Sequence, residues 1–187
     1  GVGLPVWLAA ETLLSLGPGI APAVESGLTA ADPSVRMTAA RVAGELMLPG
    51  ALGLVRECLH FEREPDVKEA MLEALGQFGR PEDVGLVVGY AGRFAPRRLR
   101  HTAIRVLGEL GGPAATERLV ALLADGDRGC AAAAATALSD MGDTGLQALD
   151  EARRLAQIGE QEACVARVVS AALSLARLRA PYEAAVT

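Results

Sequence analysis

The sequence predicts an all-α fold: an α-solenoid, a right-handed superhelix of about five stacked helix pairs. Three observations lead there. A motif recurs every 32 residues, apolar residues inside each copy recur with helical periodicity, and Gly and Pro punctuate the copies at matching places. The 187 residues, 51% hydrophobic and 22% charged, suffice for one domain with a real core. Such a composition excludes disorder. No apolar run approaches the ~18 to 20 residues that cross a membrane.

The period is read directly. An offset of 32 superposes Asp32-Pro33-Ser34-Val35-Arg36 on Glu64-Pro65-Asp66-Val67-Lys68, and a second shift brings in Leu99-Arg100. The same offset aligns Gly44 with Gly76 and Gly108, Leu46 with Phe78 and Leu110, and Pro49 with Pro81 and Pro113. A further copy follows at offset 31, where Cys130, Ala134, Leu138, Met141 and Gly142 take the places of Leu99, Ala103, Leu107, Leu110 and Gly111. Degenerate copies flank these. The copies therefore lie at about 4–31, 32–63, 64–95, 96–126, 127–160 and 161–180, in a single repeat domain covering 1–187.

Each copy reads as two helices. In the first, Val35, Ala39, Val42, Ala43 and Leu46 fall on one face of a 3.6-residue period, and Val67, Met71, Ala74, Leu75 and Phe78 repeat that stripe. Asp32 before Pro33 marks a start: an acceptor for free amides, then a residue whose missing N–H costs nothing at the first position. The Gly near each helix end supplies the turn, and Pro49, Pro81 or Pro113 opens the second helix. Its buried side is Leu52, Val55, Cys58 and Leu59 in one copy, and Thr116, Leu119, Leu122 and Leu123 in another. In the copy at 127–160, Arg128-Gly129-Cys130-Ala131 replaces the expected Val-Arg, so its first helix is expected to start late or pack loosely. One helix pair cannot cover its own apolar stripes, whereas stacked pairs can.

Asp-Pro-x-Val-Arg, then Ala, then Leu-Gly-x-Leu-Gly resembles the HEAT repeat, in the short prokaryotic form called HEAT-like or phycobilisome-lyase-type. Glu73-Ala74-Leu75-Gly76-Gln77-Phe78-Gly79 and Val106-Leu107-Gly108-Glu109-Leu110-Gly111 match best, and the resemblance runs from about 4 to 178. It implies the solenoid. Its functional implications range over scaffolds, adaptors, bilin lyases and some DNA glycosylases.

Chemistry is sparse. The two histidines, His60 and His101, fall in different copies, and Cys58 is expected on the buried stripe with His60 facing away. No catalytic, cofactor-binding or metal-binding residues are expected: Cys-x-x-Cys and phosphate-loop patterns are missing, Asp125-Gly126-Asp127 reads as an inter-repeat turn, and Gly17-Pro18-Gly19 as another. A net charge of -5 argues against nucleic acid, and the sole Trp, Trp7, is placed in the first helix. Three cysteines, an odd number, read as small core fillers and favour a reducing, cytoplasmic setting. Seventeen of the 18 basic residues are Arg, which with the high Ala content suggests a GC-rich coding sequence, and the resemblance to the prokaryotic repeat form implies a bacterial source. The chain opens Gly1-Val2-Gly3, read here as a piece of a longer protein.

Two surface features stand out. The second helix of the copy at 64–95, taken as Glu82 to Gly92, holds Gly85, Gly89 and Gly92 opposite an inward stripe of Val84, Val87 and Ala91. Each Gly inside a helix costs ~1 kcal/mol relative to Ala. A bare strip with Val88, rimmed by Gly53, Glu57 and His60 on one side and Glu117, Ala121 and Ala124 on the other, makes a partner-binding groove; tolerated drift or a sharper turn of the solenoid is the alternative. Second, no acid occurs between Asp83 and Glu109, while Arg93, Arg97, Arg98, Arg100, His101 and Arg105 do. Either the Arg93–Arg105 patch takes an anionic group, or Arg36, Lys68 and Arg100 bridge to acids of the next helix pair. The expected function is a non-catalytic scaffold or adaptor binding a protein or peptide. Alternatives are an enzyme or subunit of the bilin-lyase type and the soluble domain of a membrane-anchored bacterial protein.

Overall fold

The computed structural model describes residues 19–156, 168–174 and 176. Trp7, Gly17, Pro18, Cys164 and most of the copies at 4–31 and 161–180 lie outside them. The described residues are helical with no strand among them. Two compact units divide at Arg80 and Pro81, between the two helices of the copy at 64–95.

The first unit contains α1 (Ile20–Leu28), α2 (Pro33–Glu45), α3 (Pro49–Phe61) and α4 (Pro65–Phe78). First helices of successive copies pack on each other, α2 on α4, while the second helices α1 and α3 form the other layer. Ala39, Val42, Ala43, Val55, Leu59, Val67, Met71 and Leu75 are buried on the stripes described above. Asp32 Oδ1 accepts the Ser34 amide at 2.8 Å, and Pro33 occupies the first helical position.

The second unit contains a 3-10 turn (Pro81–Asp83), α5 (Val84–Tyr90), α6 (Arg97–Leu110), α7 (Gly112–Leu122), α8 (Arg128–Asp140) and α9 (Asp143–Ala156). The layering recurs: α6 packs on α8, and α7 on both α5 and α9. Leu99, Ile104, Leu107, Leu119, Cys130, Leu138 and Leu149 are buried.

Several expectations are corrected. Gly44 and Gly108 do not turn the chain; they let first helices touch. A Cβ on Gly44 would stand 2.8 Å from Ala74 Cα, and one on Gly108 would stand 2.9 Å from Ala137 Cβ. The turn lies three residues later, at Met47 (φ 47), Gly79 (φ 62) and Gly111 (φ 65), and again at Gly142 (φ 69). Leu48 N–H donates to Ala43 O and Met47 N–H to Gly44 O, a left-handed helix stop that glycine usually provides. The helix at Arg128 starts on time, because Asp127 Oδ1 accepts the amides of Gly129 and Cys130, and Cys130 is fully buried. Val35 is 44% exposed rather than part of the core, its Cγ1 lying near Gly27 of α1. Thr116 is only half-buried, its hydroxyl donating to Gly112 O, and Ala115 takes the inward position.

Candidate functional site

The loops that close the copies are held by arginine. Arg36 donates from Nε to Glu62 Oε2 at 2.7 Å and from Nη2 to Glu62 Oε1 at 3.0 Å, while Nη1 reaches the carbonyls of Ala30 and Ala31. Glu62 Oε1 also accepts the amides of Arg63 and Glu64. The Arg36 hydrogen bonds, helped by those amides and opposed by burial, hold the Glu62 carboxyl at about 2, below its ordinary 4.5. Arg100 repeats the device on Asp125 at 2.7 Å, and Asp125 Oδ1 accepts the Asp127 amide. Burial pushes Asp125 upward, but the Asp127 amide and Arg100 outweigh it and hold the carboxyl low. Glu62 and Asp125 therefore lie at the end of each arginine's own copy rather than in the next helix pair, although Arg100 Nη1 also stands 3.9 Å from Asp127 Oδ2, where the next copy begins. The chain returns to the arginine there before beginning the following first helix.

Against the first of these clamps lies an open pocket of about 630 Å³. Pro33, Leu54, Cys58 and Phe61 give it apolar walls, and Glu57, Glu64, Arg63 and the Arg36–Glu62 pair give it charge. Phe61 is 72% exposed and meets His60 edge to face at 5.0 Å. Cys58 is half-buried on the pocket wall rather than a core filler. Burial foremost, then Glu57 and Glu62, pushes its thiol up, which favours the protonated form and slows its reaction with electrophiles. Sequence periodicity put Cys58 on the buried stripe and gave no reason to look at Phe61. The signal available was an aromatic at the very end of a second helix, past the last inward position.

The predicted binding residues are exposed except Val88 and Gly92, which are half-buried. Gly53, Glu57 and His60 lie along α3 in the first unit, exposed, with open space around a Cβ on Gly53. In the second unit α5 and α7 lie side by side, exposing Gly85 and Gly89 from one and Glu117 and Ala121 from the other, with Val88 half-buried. Nothing lies within 4 Å of a Cβ on Gly85 or Gly89. Gly92 is not in that helix, as expected, but in the turn beyond it, since α5 covers only Val84–Tyr90. Arg118 of α7 props this turn from Nη2 to Ala91 O at 3.5 Å. The turn presents Phe94, 96% exposed, with the Arg93 guanidinium 6.0 Å from its ring centre.

The arginine patch is largely answered from within. Arg100 is buried on Asp125, Arg97 Nε stands 3.4 Å from Asp127 Oδ2, and Arg105 pairs with Glu109 at 2.6 Å. Arg93 and Arg98 are exposed beside Phe94 and Arg97. Among the described residues no cluster of His, Cys, Asp and Glu could hold a metal, and no helix is long and apolar enough to cross a membrane.

The sequence pattern that defines HEAT repeats matches residues 21–93 and 92–176. The chain belongs to the HEAT-repeat family. Among solved structures, this HEAT-repeat protein is similar to an engineered protein at 18% identity and TM-score 0.58, over 90% of this chain and 84% of that one. It is also similar to the complex of CpcE and CpcF of phycocyanin lyase from Nostoc sp., at 23% identity and TM-score 0.42, over 90% of this chain and 72% of that one. The likeness to the engineered protein shows the fold alone. No curated protein matches.

Proposed function

We propose that this HEAT-repeat protein is a non-catalytic interaction module, a scaffold or adaptor that binds a protein or peptide partner on its repeat surface. One observation carries the reading: of only three Phe in the chain, Phe61 and Phe94 stand 72% and 96% exposed at loop ends, while Phe78 is buried. Exposed aromatics of this kind add nothing to the core. Partially wet aromatic anchors beside arginine are what protein interfaces concentrate their binding energy on. Repeat arrays also suit the task, since each helix pair adds surface without changing the core beneath it. A reducing cytoplasmic setting fits the free thiols of Cys58 and Cys130.

The test is capture of partners by the intact protein and by Phe61→Ala and Phe94→Ala variants. Both side chains are surface-placed, so helix content and melting should stay unchanged while at least one variant loses the captured partner. Equal recovery of the same partners by both variants, measured by quantitative mass spectrometry, would refute the reading.

A further inference from the structure

The pocket on α3 and the two loops beside it has walls and charges specific enough to name the chemistry of its occupant, given that the protein is an interaction module. Its volume of about 630 Å³ falls in the ~300 to 1,000 Å³ range of ligand-holding clefts. Apolar surface from Pro33, Leu54 and Phe61 lies next to charge that is unevenly spent. Arg36 and Glu62 neutralise each other through two hydrogen bonds, so Glu62 is not available to a partner. That leaves Glu57 and Glu64 against Arg63 alone, and Glu57 has no ion-pair or hydrogen-bond partner among the described residues. One turn from Glu57, the Phe61 ring is exposed, and a guanidinium or ammonium can lie over such a face.

We propose that this pocket docks an extended basic segment of a partner protein, an aromatic or branched apolar side chain entering between Leu54 and Phe61 while a neighbouring Arg or Lys pairs with Glu57. The floor is preformed. Arg36 ties the Ala30–Ala31 carbonyls and Glu62 together, so both loops bordering the pocket are held before any partner arrives. The apolar anchor supplies affinity and the carboxylate supplies selection by sign of charge. An acidic segment is rejected because it would bring like charge against Glu57 and Glu64.

The experiment pans a phage-displayed random dodecapeptide library against the intact protein. The tightest peptide is then measured by fluorescence anisotropy against wild type, Glu57→Lys and Phe61→Ala, with far-UV circular dichroism to verify folding. Peptides with Lys or Arg within two positions of an aromatic or branched apolar residue should be enriched. Binding should weaken at least tenfold in each variant, and bound peptide should slow iodoacetamide alkylation of Cys58, located by peptide mass spectrometry. Acidic or uncharged winners, or binding that Glu57→Lys and Phe61→Ala leave unchanged, would overturn the pocket. So would sedimentation showing the intact chain self-associating through Glu57 and Phe61, which would give the pocket to a second copy. Failure to enrich any peptide overturns it as well. In each case the interaction reading is judged separately, by whether Phe94→Ala loses the captured partner.

Discussion

Arg36 and Glu62 share two hydrogen bonds, Nε to Oε2 at 2.7 Å and Nη2 to Oε1 at 3.0 Å, with the Glu62 side chain only 5% exposed. Sixty-four residues on from Arg36, Arg100 makes the corresponding clamp to Asp125 at 2.7 Å. Both acids also accept loop amides. Each pair therefore fixes the chain's return from a second helix to the next first helix, which is the joint that the stacking of copies depends on.

Breaking this clamp should cost stability with a defined pH dependence. Arg36→Ala should destabilise by about 2 kcal/mol near neutral pH, because it leaves Glu62 and two loop carbonyls short of donors. The folded-state Glu62 carboxyl sits at about 2 against an ordinary 4.5, so its contribution is complete above about 4.5 and is lost as pH falls toward 2. Melting temperature against pH checks this. Wild type should lose stability on that acid limb, and Glu62→Gln should show a shallower limb and lower stability at pH 7.

Among the described residues, Met47 is the one residue other than glycine with positive φ, and it occupies a left-handed helix stop. Gly79 holds the equivalent position at φ 62 and ψ 33, and Gly111 and Gly142 also have positive φ, 65 and 69, whereas Met47 is at φ 47 and 56% exposed. A side chain in this region costs ~1 to 2 kcal/mol, part of which is offset by the greater freedom glycine has when unfolded. Met47→Gly should therefore stabilise by about 0.5 to 1 kcal/mol, and Gly79→Ala should destabilise by a similar amount or more. Urea titration with an unchanged slope settles both.

The helix starts give a matching contrast. Asp32 and Glu64 have nearly the same backbone, φ -76, ψ 120 and φ -77, ψ 120, yet only Asp32 caps its helix with its side chain. The longer Glu side chain does not cap the first free amides, and its own N–H is held by Glu62 Oε1 at 3.0 Å. Glu64→Asp keeps the charge and shortens the side chain to the capping length. It should raise stability by about 0.5 to 1 kcal/mol, whereas Asp32→Ala should lower it by about 1. Thermal melts of the two variants test the pair.

Periodicity made the fold legible because burial obeys it. Val67, Leu75, Leu107 and Leu138 are inward for the reason their spacing gives, and Asp32-Pro33 starts a helix as local chemistry requires. What spacing could not convey was the distance between helices. The aligned glycines at 44 and 108 look like turn residues until Ala74 and Ala137 are seen against them. Nor could it reveal that Asp125, read as part of a turn, is the acceptor for a buried arginine twenty-five residues earlier. Gly53, Glu57, Gly85, Gly89, Glu117 and Ala121 are exposed where their spacing puts them, but the pocket was missed. It depends on where α3 ends and the loop doubles back, and no repeat pattern encodes that.

The glycine face of α5 separates two explanations of an expensive sequence. Gly85 and Gly89 have nothing within 4 Å of a Cβ, so neither is needed for helix packing. If they are tolerated drift, Gly89→Ala should stabilise modestly, by up to about 1 kcal/mol, and both Gly89→Ala and Gly89→Arg should bind the partner as wild type does. If the bare face receives a partner backbone, Gly89→Arg should leave helix content and melting nearly intact while abolishing partner capture. Arg97→Glu with Arg98→Glu then reports on charge beside the same face. A salt-sensitive partner should bind this double variant more weakly at low ionic strength, and the difference should shrink as salt screens it. Unchanged affinity at low salt would confine Arg97 to its pairing with Asp127, 3.4 Å away.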